Sequence, residues 1–473
     1  MTATEYRICV SSAPGHLASE VTELLSQGWE LYEYPFVTGR SGVGGNGQQA
    51  ARLYCQAVVR GALPETASAA PASAPASTQI APRPRAVVTA KPKAPARVSP
   101  PKPVRPPRPR VAASFRPVAA FLAVTIGSYL LVEALIFRSG LYARFLEPIS
   151  TSGNFERTTY HEIYRPPSGK KEVLIVGSSR LSDDFSARIA NQLKPEEGYW
   201  FIDGSILHGR DRAWYYFVRE VDPHRDRYKC IMIPLEDYDD PDTSDDVPDR
   251  VVDLRLVASR LRLTDILPFT SSFRTWRGRF EVLRGAILKG VVYQRDFQEF
   301  FEDPGDRITK ATEWREHGAD WLYGYGGIHH SLTGLAVDWQ TRRVTALPPD
   351  NQGPEWQQFY EKALIDNTPQ NGIVRADQVQ WLGALVDLYR GSRTRIVVYQ
   401  VPRGPAMPPY PRARLPWTTV DVLAKRPWVT VVDRHRFESL EKPELFADPL
   451  HLNSDGRAVF SPMLANLAKE ILH

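Results

Sequence analysis

The stretch Val173-Leu174-Ile175-Val176-Gly177-Ser178-Ser179-Arg180 decides the fold class. Its apolar run has no polar face, so both sides of it are buried, as in a parallel strand covered by helices. The run stops at Gly-Ser-Ser, which places a serine at the carboxyl edge of the sheet, where open α/β folds hold their ligands. A helix is expected to follow over residues 184–193, with amides at its start that can support an oxyanion. A Gly-Ser turn with Ser178 or Ser179 as the helix cap fits the same residues. Further short, β-branched apolar runs lie at 199–202, 229–234, 395–401 and 428–432, and a helical pattern at 378–389 precedes one of them. Strands separated by helices predict a parallel sheet with helical layers. Residues 454–472 predict a closing amphipathic helix with Val459, Phe460, Met463, Leu464, Leu467 and Ile471 inward.

The second informative stretch is Asp448-Pro449-Leu450-His451-Leu452-Asn453. An Asp three residues before a His can accept from one ring nitrogen and leave the other free as a base. With the serine, the order is Ser, Asp, His, a nucleophile with its base and its orienting acid. This pair of segments resembles the first and last sequence blocks of the SGNH (GDSL-like) hydrolase superfamily. It is particularly similar to membrane-anchored members such as the alginate O-acetylation and teichoic acid D-alanylation proteins. The resemblance implies an α/β fold, a three-layer αβα sandwich with a parallel sheet, spanning about 150–473. It assigns Ser179 as nucleophile, His451 as base and Asp448 as orienting acid. Phe201-Ile202-Asp203-Gly204-Ser205 matches the second block, which implies an oxyanion hole from the backbone amides of Ser179 and Gly204. Two positions depart from the pattern. Ser178 stands where many relatives have Asp, and the third block runs into Glu236-Asp237-Tyr238 without an asparagine.

The insertion at about 241–380 is rich in aromatic residues, among them Trp276, Trp314 and Trp339. Most of these rings read as the core of a helical insertion. The run Tyr323-Gly324-Tyr325-Gly326-Gly327 is the exception: its glycines suggest a loop in which Tyr323 and Tyr325 stay exposed to stack on sugar rings, with Trp321 just before it as a further candidate. His329 and His330 lack a third ligand at metal-binding spacing. No metal or cofactor is expected.

Upstream of this region the chain changes character. Residues 1–62 read as strand, helix over 16–27, strand and strand, a small α+β unit. The segments Glu-Leu-Leu-Ser-Gln-Gly-Trp-Glu-Leu and Tyr-Cys-Gln-Ala-Val within it resemble a small bacterial family of unknown function, DUF1737. A cytoplasmic protein partner is the expected role, and Cys9 and Cys55 alternate with apolar neighbours as core residues do. Residues 63–115 are rich in Pro and Ala and read as a disordered tether. No acidic residue occurs from Thr66 to Val132, while Arg83, Lys91, Arg97, Lys102, Arg108 and Arg116 fall there. No aromatic residue interleaves with the charges from Arg83 to Arg110, so nucleic acid is not the expected partner; the lipid bilayer is.

Residues 117–137 are apolar over a length that suffices to cross a membrane. The basic excess on their N-terminal side predicts a single-pass protein of the inner membrane, with a cytoplasmic N-terminus and a periplasmic C-terminal part. Glu133, near the outer end, reads as an interfacial residue. The chain has three cysteines, and only Cys230 lies beyond the span, so no disulfide framework is expected.

Two functions from different classes fit. One is an O-acetyltransferase or esterase acting on an exported polysaccharide, working beside a membrane-bound acyl-donor protein. The other is a non-catalytic glycan-binding scaffold of a secretion complex. The topology is open to a direct test. A reporter active only outside the cytoplasm is expected to give signal when fused after His473 and none when fused at Pro109; the reverse pattern would overturn the orientation.

Overall fold

The computed structural model describes residues 5–11, 30–39, 52–60, 116–193, 197–236, 238, 252–366, 376–410 and 418–473. They fall into two compact units, Met1–Arg108 and Pro109–His473. In the first, β1 (Glu5–Ser11), β2 (Glu30–Gly39) and β3 (Arg52–Arg60) form an antiparallel sheet in the order β1-β3-β2. The pairing of β2 with β3 shifts between Tyr32 and Phe36. All three segments expected as strands are strands; the expected helix at 16–27 and the tether at 63–115 lie outside the described residues.

The second unit is mixed α/β. Its five-stranded sheet contains β4 (Lys171–Gly177), β5 (Tyr199–Ser205), β6 (Cys230–Leu235), β9 (Arg395–Gln400) and β10 (Val429–Val431). The order is β10-β9-β6-β4-β5, and every neighbouring pair is parallel. The chain passes from β4 outward to β5, then returns to place β6 on the other side of β4. That reversal is the switch point at which parallel sheets open a crevice at their carboxyl ends. The remaining strands, β7 (Ala336–Asp338) and β8 (Arg343–Ala346), form an antiparallel pair in the insertion.

Both faces of the sheet are buried, as its unbroken apolar runs require. Leu174, Val176, Ile231, Ile233 and Val398 join one core with the helices Asp211–Val221 and Ala376–Asp387. Val173, Ile175, Met232, Val397 and Tyr399 join a second core with the closing helix Ser454–Leu472. The closing helix has the expected bounds, and Phe460, Leu464 and Leu467 are buried on it, with Met463 and Ile471 half-buried. Val459, expected inward, is exposed: at 100° per residue it stands beside Phe460 on the edge of the apolar stripe that turns to solvent. The helix after β4 begins earlier than expected: Ser179–Asp184 and Ala187–Gln192 are separate helices. The Ser186 side chain starts the second by accepting from the Ile189 amide.

Among the described residues one helix, Ala119–Arg138, is long and apolar enough to cross a membrane. Its last turn is π-helical, Glu133–Arg138. Glu133 is not the interfacial residue its sequence position suggests. It is buried and accepts from the amides of Lys289 at 2.7 Å and Gly290 at 2.9 Å, capping the short helix Lys289–Val292. A carboxylate at a helix N-terminus satisfies amides that have no intrahelical acceptor.

The insertion is largely helical, but its aromatic rings are not all core. Trp276 is 80 % exposed. Trp314 carries the Arg157 guanidinium over its ring at 4.1 Å, and Trp339 donates from Nε1 to the Ala406 carbonyl.

The strand-to-helix turn after β4 depends on Gly177. A Cβ at that position would lie 2.3 Å from the Leu181 Cβ, well inside contact distance. Gly177→Ala is therefore expected to cost about 2–3 kcal/mol by overpacking. Gly324→Ala, where a Cβ would meet nothing within 4 Å, should stay within about 0.5 kcal/mol. Denaturant unfolding of the two variants checks this; equal stabilities would show that the turn can yield.

Candidate active site

The turn that ends β4 builds one half of the site. Ser178 caps the helix Ser179–Asp184: its carbonyl accepts from Leu181 and Ser182, and its side chain accepts from the Arg180 amide at 3.3 Å. Ser179 is thus the first helical residue, at the carboxyl end of β4, beside the reversal in strand order. Its hydroxyl lies 3.2 Å from His451 Nε2.

The other half is the loop before the closing helix. Asp448 Oδ1 accepts from the amides of Leu450 and His451 at 2.7 and 2.8 Å, which folds the chain back as an Asx turn does. Oδ2 of the same carboxylate accepts from His451 Nδ1 at 2.8 Å. The spacing of three residues therefore lets one side chain set both the backbone and the ring. With Nδ1–H donating to Asp448, Nε2 is left with its lone pair toward Ser179. The loop is held in place from two directions. Leu452 donates its amide to Asp184 Oδ1 at 2.7 Å, and Ala447 donates to the His451 carbonyl at 2.9 Å. Asn453 then caps the closing helix, accepting from Asp455 and Gly456.

The structure thus brings Ser179, His451 and Asp448 together. It does not bring Gly204. That residue lies inside β5, opposite Val176, not in a loop beyond the strand. Ile206 donates to the Gly177 carbonyl at 2.9 Å, and the two-residue alternation of a parallel ladder then turns the Gly204 amide toward Ile175 O. Its lack of a side chain serves packing: a Cβ there would sit 2.9 Å from Ile175 O and 3.0 Å from Phe217. Nor does an asparagine follow β6; Glu236 faces Arg210 at 3.6 Å.

The predicted aromatic loop is different from its expectation. Tyr323 and Gly324 close the helix Pro304–Gly324, and Tyr323 is half-buried. The side chain of Trp321 lies outside those described. Tyr325 is half-buried too, and its hydroxyl donates to Asp183 Oδ1 at 2.8 Å. It therefore reaches the site as a buttress for a carboxylate, not as an exposed stacking ring. His329 and His330 pair with Ser454 Oγ and the Ala447 carbonyl.

Three residues escaped the sequence reading. Asp183 Oδ2 lies 3.8 Å from His451 Nε2. Asp184 is buried and anchors the histidine loop. Arg457 donates to the carbonyls of Ser182 and Asp183 at 3.0 and 3.4 Å, with its guanidinium 4.8 Å from the Tyr325 ring. The available signal for Asp183 was its position four residues after Ser179, which puts both on one face of a helix.

The electrostatics follow from these carboxylates. Burial pushes Asp184 up to about 7, against Arg180 and the Leu452 amide. Burial also raises Asp183, against its hydrogen bond from Tyr325. For Asp448, burial is outweighed by His451 and two backbone amides, so it stays below the usual carboxylate range. For His451, burial favours the neutral ring, but the hydrogen bond to Asp448 and the charges of Asp184 and Asp183 outweigh it and raise its pKa.

Comparison of the chain with protein-family models, curated proteins and solved structures finds no match in any of the three.

A raised histidine has a definite sign. The protonated ring is favoured in the fold, so its contribution to stability is present below the unfolded value of 6.5 and is lost as pH rises through the folded value. The His451 ring resonance in an NMR titration is expected to move at a midpoint above 6.5, and Asp448→Asn should lower that midpoint. A midpoint that ignores Asp448→Asn would mean the contact does not form in solution.

Proposed function

We propose that the second unit is a serine-dependent acyl-transfer enzyme of the SGNH type, an O-acetyltransferase or esterase acting on an exported cell-surface polysaccharide. The observation that carries this reading is the chain of contacts from Ser179 Oγ to His451 Nε2 at 3.2 Å and from His451 Nδ1 to Asp448 at 2.8 Å. A strand order with its reversal at β4, and helical cores on both faces of the sheet, support the three-layer αβα arrangement of that superfamily. The long apolar helix supports a membrane anchor, and the basic run before it supports a cytoplasmic first unit and a periplasmic second one. A membrane-bound acyl-donor protein is the natural source of the acyl group, and a cytoplasmic protein the natural partner of residues 1–62.

In this mechanism Ser179 Oγ attacks the ester carbonyl while its proton passes to His451 Nε2. The tetrahedral intermediate collapses, the C–O bond to the leaving alcohol breaks, and that alcohol takes the proton from Nε2. A water or sugar hydroxyl then gives its proton to the same nitrogen and attacks the acyl-serine; this second tetrahedral intermediate collapses, the bond from the acyl carbon to Ser179 Oγ breaks, and Ser179 takes the proton back from Nε2. Asp448 holds the ring and balances its charge during each transfer. The Ser179 amide, first in its helix, has no intrahelical acceptor and is the backbone donor in reach of the oxyanion. An oxyanion donor typically supplies about 3 kcal/mol.

The second reading, a glycan-binding scaffold without chemistry, draws on one observation. The Gly204 amide is engaged in the ladder and no asparagine follows β6, so the oxyanion is poorly served.

A fluorophosphonate is expected to label the full-length protein at Ser179. Ser179→Ala and His451→Ala should each lower release of acetate from a chromogenic acetyl ester by at least about 10³-fold, and the double variant should be little worse. Asp448→Asn should lose less than either. Ser178→Ala should retain most activity and lose about 1 kcal/mol of stability with its helix cap. Full activity in folded Ser179→Ala would replace the enzyme with the scaffold.

A further inference from the structure

The helix Trp276–Ile287 carries an apolar stripe that its own unit does not cover. At 3.6 residues per turn, Trp276, Phe280, Leu283 and Ile287 fall within an arc of about 60°. The opposite face buries Gly278, Val282, Gly285 and Ala286. Along the stripe, Trp276 is 80 % exposed, Phe280 61 % and Ile287 45 %. The adjoining turn adds Leu263 and Leu267, at 71 % and 75 %. The helix that holds Leu267, Ile266–Ser271, packs directly against this one. Arg277 and Arg284 flank the stripe and are exposed. Water-soluble surfaces seldom leave so many large apolar side chains together unless something covers them.

The position of the stripe identifies its occupant. The last carbonyls of this helix, Ala286 and Ile287, accept from the Arg138 guanidinium. The next two amides but one, Lys289 and Gly290, donate to Glu133. Glu133 and Arg138 close the helix Ala119–Arg138, the one candidate membrane span among the described residues. The helix that carries the stripe is therefore tied, at its C-terminal end, to the end of the apolar helix. A Trp, Phe and Leu stripe rimmed by arginines is the composition of a helix lying in a membrane interface.

We propose that the stripe, Trp276, Phe280, Ile287, Leu263 and Leu267, lies in the headgroup region of the bilayer entered by the chain's own apolar helix, with Arg277 and Arg284 toward anionic lipid. The proposal rests on the reading of that helix as a membrane span.

The test uses the full-length chain with Cys9→Ser and Cys55→Ser, leaving Cys230, which is buried. Single cysteines at Phe280, Leu267, Leu130 or Val459 carry a nitrobenzoxadiazole label. The protein is reconstituted into vesicles of phosphatidylcholine and phosphatidylglycerol that contain doxyl-labelled lipid. Leu130 reports the span, and Val459, on the closing helix, reports a surface away from it. Quenching at 280 and 267 is expected to exceed that at 459 by about threefold or more, with 130 quenched as well. If 130 is quenched while 280 and 267 match 459, the interfacial stripe is wrong and the span stands. If 130 is not quenched either, the span itself fails and takes the proposal with it. A label at 280 that is shielded yet unquenched by lipid, and that cross-links between copies, would make the stripe a dimer contact and overturn the proposal.

Discussion

The hydrogen bond from the Leu452 amide to Asp184 joins two segments 268 residues apart. Asp184 ends the short helix that Ser179 begins, and Leu452 follows His451 directly. A helix of six residues thus carries Ser179 at its start and the anchor for the histidine loop at its end. Asp184 holds this place against burial, which disfavours its charge. Deleting a buried carboxyl that satisfies an amide leaves that amide unpaired, which costs more than the net value of the bond. Asp448 does the same at short range, fixing two amides of its own loop while it holds the ring. Two carboxylates that bind backbone therefore determine whether the serine and histidine meet.

The insertion takes part in this arrangement from the opposite side. Ile328 pairs with Asn453, and its carbonyl accepts from the Ser454 amide. Leu332 donates to the Phe446 carbonyl. The histidine loop is clasped between the helix that Ser179 begins and the stretch 325–332 of the insertion. Tyr325, in that stretch, sets the orientation of Asp183 next to His451 Nε2. A negative charge near that nitrogen favours the protonated ring, so the same contact that steadies the imidazolium also withholds the base at lower pH.

The parts of the molecule legible in its sequence are those governed by local pattern. Runs such as Val173 to Val176 mark strands because burial on both faces leaves no room for polar residues. Asp448 and His451 were legible because their contact spans a single turn. Gly204 misled, since a glycine inside a strand and a glycine offering an amide look alike until the ladder register is known. Tyr325 misled because glycines beside an aromatic say nothing of a partner 142 residues away. Glu133 misled for the same reason: the amides it caps belong to residues more than 150 positions downstream.

Glu133 and Arg138 also govern how force passes between the apolar helix and the rest of its unit. A membrane span usually meets a folded domain through a few free residues that act as a swivel. Here the final turn of the apolar helix is itself clamped, by a carboxylate on two amides and a guanidinium on two carbonyls. Tilting the helix within a bilayer would therefore carry the folded unit with it. On the membrane-anchored reading, bilayer thickness becomes a mechanical input that sets the height at which Ser179 stands above the lipid surface.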